Sequence, residues 1–151
     1  MLKTRQLTID DIEQLTKLFD LYRQFYGQSS DIPAARAFIA QRLENQDSHL
    51  IGAFESDKFA GFTQLYPSFS SVGMKPKLIL NDMFVLKEFR RSGVARALLR
   101  AAEQLGSSIG AASLVLATQN ENSAAQQLYE STGWVPEANF VYYNLAISSD
   151  S

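Results

Sequence analysis

The stretch FRRSGVARALL, Phe89 to Leu99, decides how the rest of the chain is read. Its second half has the apolar spacing of a helix, yet the turn that opens it holds two arginines, a serine and a glycine. A surface helix ordinarily begins with a capping side chain and a few acids, because its free N–H groups and its dipole favour negative charge. A basic first turn is unfavourable in isolation and makes sense where an anion arrives from outside to occupy the helix N-terminus. Gly93 has no Cβ to hold a ligand off the backbone, and Ala95 keeps the next turn narrow. The apolar run LILNDMFVL, Leu78 to Leu86, leads straight into this turn. The basic residues therefore sit in a strand–loop–helix unit, an arrangement that places phosphates on free N–H groups. Neither the glycine-lysine-serine or -threonine end of a Walker loop nor the glycine spacing of a dinucleotide fold is present, which argues against ATP and NAD.

Working outward, strands and helices alternate. A short strand is expected over residues 3–8, then a helix opened by Thr8 or Asp10 with Leu15, Leu18, Phe19, Tyr22, Phe25 and Tyr26 at helical spacing, stopped by Gly27. Residues 32–46 repeat that pattern, with Pro33 tolerated in the first turn. HLIGAFE, His49 to Glu55, and FAGFTQLY, Phe59 to Tyr66, flank the turn SDK as an antiparallel hairpin. After the helix that starts at Ser92 come a buried strand over 113–119, a helix from Ser123 to about Thr132, and a closing strand over 140–147. No internal repeat is present. The pattern predicts one α/β domain over residues 1–147, followed by a polar tail over 148–151.

Composition narrows the chemistry. The 151 residues are 46% hydrophobic and 20% charged, with a formal charge of -2, so nothing points to nucleic acid or to a membrane as the main partner. With no cysteine in the chain, disulfides, thiolate metal sites and a cysteine nucleophile are excluded. No metal site is expected. The start of the chain is charged from Lys3 and no run approaches membrane-spanning length, so a cytoplasmic location is the expectation.

A second segment gives the first its meaning. NENSAAQQLYESTGW, Asn120 to Trp134, places Asn122 and Tyr129 about two helical turns apart, so that both can look toward one strand end. Together, FVLKEFRRSGVARALL and NENSAAQQLYESTGW resemble the two signature regions of the GNAT superfamily of acyl-CoA-dependent N-acyltransferases. Arg90, Gly93 and Ala95 fill the first motif, and Asn122, Ala125, Leu128, Tyr129, Gly133 and Trp134 fill the second. The resemblance implies a mixed, strongly twisted sheet of about six to seven strands flanked by about four helices, splayed between the strands at 78–86 and 113–119. It implies acetyl-CoA as cosubstrate, its pyrophosphate held by Arg90, Arg91, Ser92, Gly93, Val94, Ala95 and Arg96. The pantetheine arm would pair with backbone near Phe84 and Val85, and Asn122, Ala125 and Tyr129 would complete the cofactor site. A homodimer is common among similar proteins.

The implied reaction is direct attack of a primary amine of a small molecule on the acetyl thioester. Tyr129 resembles the tyrosine that protonates the departing thiolate. Asn122 is either a helix cap or a ligand of the cofactor. Asp82 is a charge inside an apolar strand, costly unless paired or used; it, or a water that it holds, is the candidate base. LNDMFV and GFTQLYPSF look most like diamine and polyamine acetyltransferases, but Asn81 stands where those usually carry an acid. An amide attracts an ammonium poorly, so polycations are expected to be weaker acceptors than singly charged amines. In this superfamily the loop between the first two helices often borders the acceptor pocket, which makes Tyr22, Tyr26, Asp31 and Asn81 the candidate substrate residues. His49 is read as structural, and Tyr142 and Tyr143 as opposite faces of the last strand. Two other readings stay open: a protein lysine or N-terminal acetyltransferase, and an acyl-CoA sensor without turnover.

Overall fold

The computed structural model describes residues 1–148 and divides into two units, Met1–Ala117 and a second that begins at Thr118. The first unit is built on five strands in the order β1–β2–β3–β4–β5: β1 (Leu2–Gln6), β2 (His49–Glu55), β3 (Lys58–Ser70), β4 (Lys75–Val85) and β5 (Leu114–Val115). The first four are antiparallel, and β5 joins β4 in parallel. Helices α1 (Ile12–Phe25), α2 (Ile32–Asn45) and α3 (Val94–Ser108) accompany this sheet, and α4 (Ser123–Ser131) belongs to the second unit.

Alternation along the strands assigns the helices to opposite faces. Phe62 and Phe84, partners across β3 and β4, join Leu15, Leu18, Phe19 and Ile39 in a core beneath α1 and α2. Gly61, one residue from Phe62, looks the other way, where a Cβ would lie 3.2 Å from Val94 Cγ1 of α3. Along α3, Val94, Leu98, Leu99 and Ala102 form the buried stripe that covers that face.

The pairing of β3 with β4 is interrupted at one residue. Gln64 pairs with Asp82 and Leu65 with Leu80, so Asn81 is an extra residue, a β-bulge. Across the bulge the alternation changes phase. Leu80 shares the face of Leu65, while Asp82 shares the face of Gln64 and lies beneath α1 and α2. The bend that a bulge introduces also parts β4 from β5: the parallel ladder holds only Leu78 with Leu114 and Ile79 with Val115.

Three expectations are corrected. The sheet has five strands, not six to seven. The strand expected over 113–119 is confined to Leu114–Val115, because β4 turns away and leaves the residues after Val115 no ladder to extend. Residues 140–147 form no strand. Phe140, Val141, Tyr142 and Tyr143 have the composition of one, but β-propensity is realised only against a paired neighbour, and none is present among the described residues. Of the expected tail over 148–151, all but Ser148 lies outside the described residues. Strands β3 and β4 also run further than expected, through Pro67 and Pro76.

The close approach of β3 to β4 at Gly61 yields a test of this packing. A Cβ there would lie 2.7 Å from the Phe84 carbonyl oxygen, an immovable backbone atom. Gly61→Ala is expected to cost about 1–3 kcal/mol, the usual range for overpacking, read as a lowered urea midpoint with the slope unchanged.

Candidate active site

Three elements meet around a cleft of about 410 Å³ beneath α1 and α2. From α1 come Phe19, Tyr22 and Arg23, which the spacing i, i+3, i+4 places on one helix face. Helix α2 supplies Ala34, Ala35 and Phe38, and the sheet supplies Tyr66 from β3 and Asn81 and Asp82 from β4. The walls are largely aromatic: Phe19 stacks on Phe38 with ring centres 5.7 Å apart, and Tyr22 meets Phe62 edge-on at 6.0 Å.

Asp82 is the buried charge of this cleft, 5% exposed. It shares this face with Phe84, two residues on, and its carboxylate is held by two amides: Gln64 Nε2 donates to Oδ2 at 2.5 Å and Asn81 Nδ2 to Oδ1 at 3.0 Å. Gln64 is fixed in turn by Ser48 Oγ, which donates to its Oε1 at 2.8 Å. Both donors are neutral amides, and Asp82 has no ion pair among the described residues. The Tyr22 hydroxyl donates to the Asn81 carbonyl at 3.2 Å, in the segment where the bulge interrupts the ladder. Burial, then the nearby Asp82 charge, push the Tyr22 phenol far above its ordinary range, so it stays protonated and acts as a donor. The same two causes raise Tyr66.

The loop between α1 and α2 is organised by a carboxylate that sequence reasoning missed. Asp20, 2% exposed, accepts from Ser30 Oγ at 2.6 Å, the Asp31 backbone N–H at 2.8 Å and Gln24 Nε2 at 2.9 Å. These bonds hold its pKa below the ordinary carboxylate range, the Ser30 bond foremost. An acid on the otherwise apolar stripe of α1, followed by the donors of GQSSD, was the available signal. Of the four residues expected at an acceptor pocket, Tyr22 and Asn81 line this cleft. Asp31 instead caps α2, its Oδ1 accepting from the Ala34 N–H at 3.2 Å, and Tyr26 packs on Tyr22 from outside the lining. Phe38 and Tyr66 were not foreseen, since their approach depends on how α2 and β3 are placed, whereas Arg23 was missed although it follows Tyr22 on the same face of α1. His49 lies elsewhere, beside Arg5 in a cavity of about 180 Å³, and burial lowers its pKa, which favours a neutral ring at pH 7.

The basic stretch from Phe89 forms the loop between β4 and α3. Arg91 adopts a left-handed φ of 63° and Gly93 one of 86°, and Gly93 stands at the N-cap of α3. A backbone of this kind suits glycine, and no side chain caps the helix. The first-turn N–H groups of α3 thus meet no acid and no capping oxygen, with Arg90, Arg91 and Arg96 alongside. A Cβ at Gly93 would have nothing within 4 Å, so the space before this turn is open. That combination fits an anion such as a pyrophosphate. Ser92 Oγ is turned back onto the Phe89 carbonyl. Arg90 Nε donates to the Val85 carbonyl at 3.0 Å, and its guanidinium lies 5.6 Å from the centre of the Phe84 ring. Beyond Ile79, β4 pairs with β3 alone, so the backbone groups of its other edge, through Phe84 and Val85, have no strand partner among the described residues.

In the second unit, Asn122 caps α4, its Oδ1 accepting from the Ala125 N–H at 3.1 Å. Tyr129 packs its ring 6.1 Å from that of Trp134, and its carbonyl accepts from the Trp134 N–H across the turn at Gly133, φ 100°. The cap role weighed for Asn122 is therefore filled.

Known proteins resemble this chain. A family model described as the acetyltransferase (GNAT) family matches residues 15–134. A Bacillus subtilis protein described as the uncharacterized N-acetyltransferase YhfO is 44% identical over 143 residues, 95% of this chain and 96% of that protein. The crystal structure of a probable acetyltransferase matches with a TM-score of 0.93 at 38% identity, covering 98% of this chain and 99% of that one. An aminoglycoside N-acetyltransferase, AAC(6')-Iy, solved in complex with CoA, matches with a TM-score of 0.80 over 97% of this chain and 96% of that one; at 21% identity the likeness is one of fold.

The Asp20 latch makes stability depend on pH in a defined direction. A carboxylate with a depressed folded pKa contributes stability that is complete above its unfolded pKa of about 3.9 and is lost as pH falls through the folded value. Asp20→Asn is therefore expected to destabilise the protein by a constant amount above about pH 5. The gap should narrow below about pH 4, in urea midpoints measured across that range.

Proposed function

Because the chain belongs to the GNAT family of acetyltransferases, we propose that it transfers the acetyl group of acetyl-CoA to a primary amine of a small molecule in a ternary complex. The observation that carries this reading is the buried, amide-held Asp82 carboxylate at an aromatic-walled cleft. A cleft of that volume suits a small acceptor, and its one buried anion suits an ammonium.

The acceptor arrives charged. With a pKa near 10.4, only about one lysine-like amine in a thousand is neutral near pH 7.4, and only the neutral form attacks. Asp82, directly or through a water, draws the ammonium in and takes its proton toward solvent. Tyr22, kept protonated, orients this end of the cleft through the Asn81 carbonyl. The amine nitrogen then bonds to the thioester carbonyl carbon, the carbon–sulfur bond breaks, and the electron pair leaves on sulfur. Tyr129, assigned by its place in the second signature region, supplies the proton that makes the thiol. The pyrophosphate lies on the N–H groups from Arg91 to about Arg96, and the pantetheine amides on the open edge of β4 near Phe84 and Val85. Asn122 and Ala125 border the same cosubstrate from α4. The residues 1–147 act as one catalytic domain in this reading.

Two variants test it in separate places. In Gly93→Val, a branched residue is forced into a left-handed backbone where the phosphate approaches, and calorimetry should show acetyl-CoA binding weakened by about tenfold or more. Equal affinity would remove the anion from this turn. Tyr129→Phe is expected to lower kcat by about 10²-fold with little change in acetyl-CoA affinity, the smaller end of general-acid effects, since a thiolate is a fair leaving group. Unchanged turnover on an amine panel would transfer the role to water or another group.

A further inference from the structure

The cleft carries charge of both signs, and the positive one has no part in acetyl transfer itself. Arg23 lines it together with Asp82, and the two come from different elements, α1 and β4. Asp82 comes from the sheet, beside the Asn81 carbonyl that Tyr22 holds. Arg23 stands at the α1–α2 loop, where its Nη1 donates to the Ser29 carbonyl at 3.1 Å. We propose that Arg23 is a specificity-determining residue that binds a carboxylate at the far end of the acceptor, so that the preferred substrates are ω-amino acids or amino acids with a side-chain amine. The inference rests on the acetyl-transfer reading and deepens it.

Arg23 is only partly satisfied by the protein. Its ionic partner, Asp20, already accepts three bonds between 2.6 and 2.9 Å, and Arg23 reaches it only at 3.5 Å, at the edge of hydrogen-bonding range. Both protein contacts use Nη1. Nε and Nη2 have no acceptor among the described residues, although the side chain is only 27% exposed. A half-buried guanidinium with half its fork open is suited to a planar anion, above all a carboxylate, which it can hold through two parallel bonds. The contacts to Ser29 and Asp20 pre-set its position, so that little side-chain freedom is lost when the anion binds.

The rest of the cleft agrees with this polarity. The same lining holds Phe19, Tyr22, Phe38 and Tyr66, surfaces that suit a methylene chain. A diamine would set its second ammonium against Arg23, and Asn81 offers no compensating negative charge. An acceptor with a carboxylate at that end instead completes one ion pair at each end.

The test is a matched series: ω-amino acids of four to six carbons, their primary amides, and α,ω-diamines of the same length. The reacting amine is constant while the far end is anionic, neutral or cationic. At the best length, kcat/KM for the acid should exceed that for the amide by about tenfold, and the amide should exceed the diamine. The acid's advantage should shrink as salt rises. Arg23→Gln should bring the acid-to-amide ratio close to one, and Arg23→Lys should restore part of it. An acid-to-amide ratio of one or less at every length in the unmodified protein overturns the proposal without need of any variant. An unchanged ratio in folded Arg23→Gln, or equal losses on acid and amide, overturns it as well and leaves Arg23 a loop-holding residue. If amines outside the series are acetylated and none within it is, this inference fails alone. If no amine of any kind is acetylated, the acetyl-transfer reading fails with it.

Discussion

One extra residue in β4 governs the candidate site. A strand presents alternate residues to alternate faces, so in an unbroken β4 the side chains of Leu80, Asp82 and Phe84 would share one face. The bulge at Asn81 inserts a half-step. Leu80 stays with Leu65 on the face that α3 covers, and Asp82 turns to the face beneath α1 and α2, between the amides of Gln64 and Asn81. Without that step Leu80 would follow Asp82 and Phe84 onto the face beneath α1 and α2, or those two would leave it. The same step bends the strand away from β5 after Ile79 and breaks the ladder where the Tyr22 hydroxyl meets the Asn81 carbonyl. An acidic site and an open strand edge thus arise from one backbone irregularity.

Two kinds of unpaired polar group define what this chain can hold. On the β4–α3 side they are backbone groups: the first-turn N–H groups of α3, uncapped after Gly93, and the strand edge beyond Ile79. Groups of this sort suit a ligand with phosphates and amides. In the cleft they are side chains, a carboxylate held by neutral donors and a guanidinium with a half-open fork, set among aromatic rings. Groups of this sort suit a short chain with charged ends. The first set comes from local sequence, while the second is assembled from segments as far apart as Phe19 and Asp82. Asp20 joins the two scales, because a residue of α1 fixes the loop that starts α2 and thereby the walls of the cleft.

Much was legible in the residues themselves. The helix start at Thr8, the stripe of α1 from Leu15 to Tyr22 and the hairpin around SDK are local matters of capping, periodicity and turn preference, and they stand where the sequence puts them. The two signature regions were readable for the same reason, since each is a short run whose function depends on its own backbone. Asn122 as the cap of α4 is another such case.

What only the tertiary structure decided is everything that depends on a partner distant in sequence. The composition of 140–147 suggests a strand, yet a strand exists only as far as its ladder does, and β5 stops after two residues for that reason. Alternation suggests that Asp82 shares the face of Leu80, and the register against β3 reverses it. Phe38 and Tyr66 become part of the cleft only because α2 and β3 close around α1. The sequence determined by itself which segments are helices, where the basic, glycine-containing turn lies and which family the chain resembles, because those depend on neighbours a few residues away. Strand register, the phase change at Asn81 and the pairing of opposite charges in one cleft depend on contacts made across the chain, and no local preference encodes them.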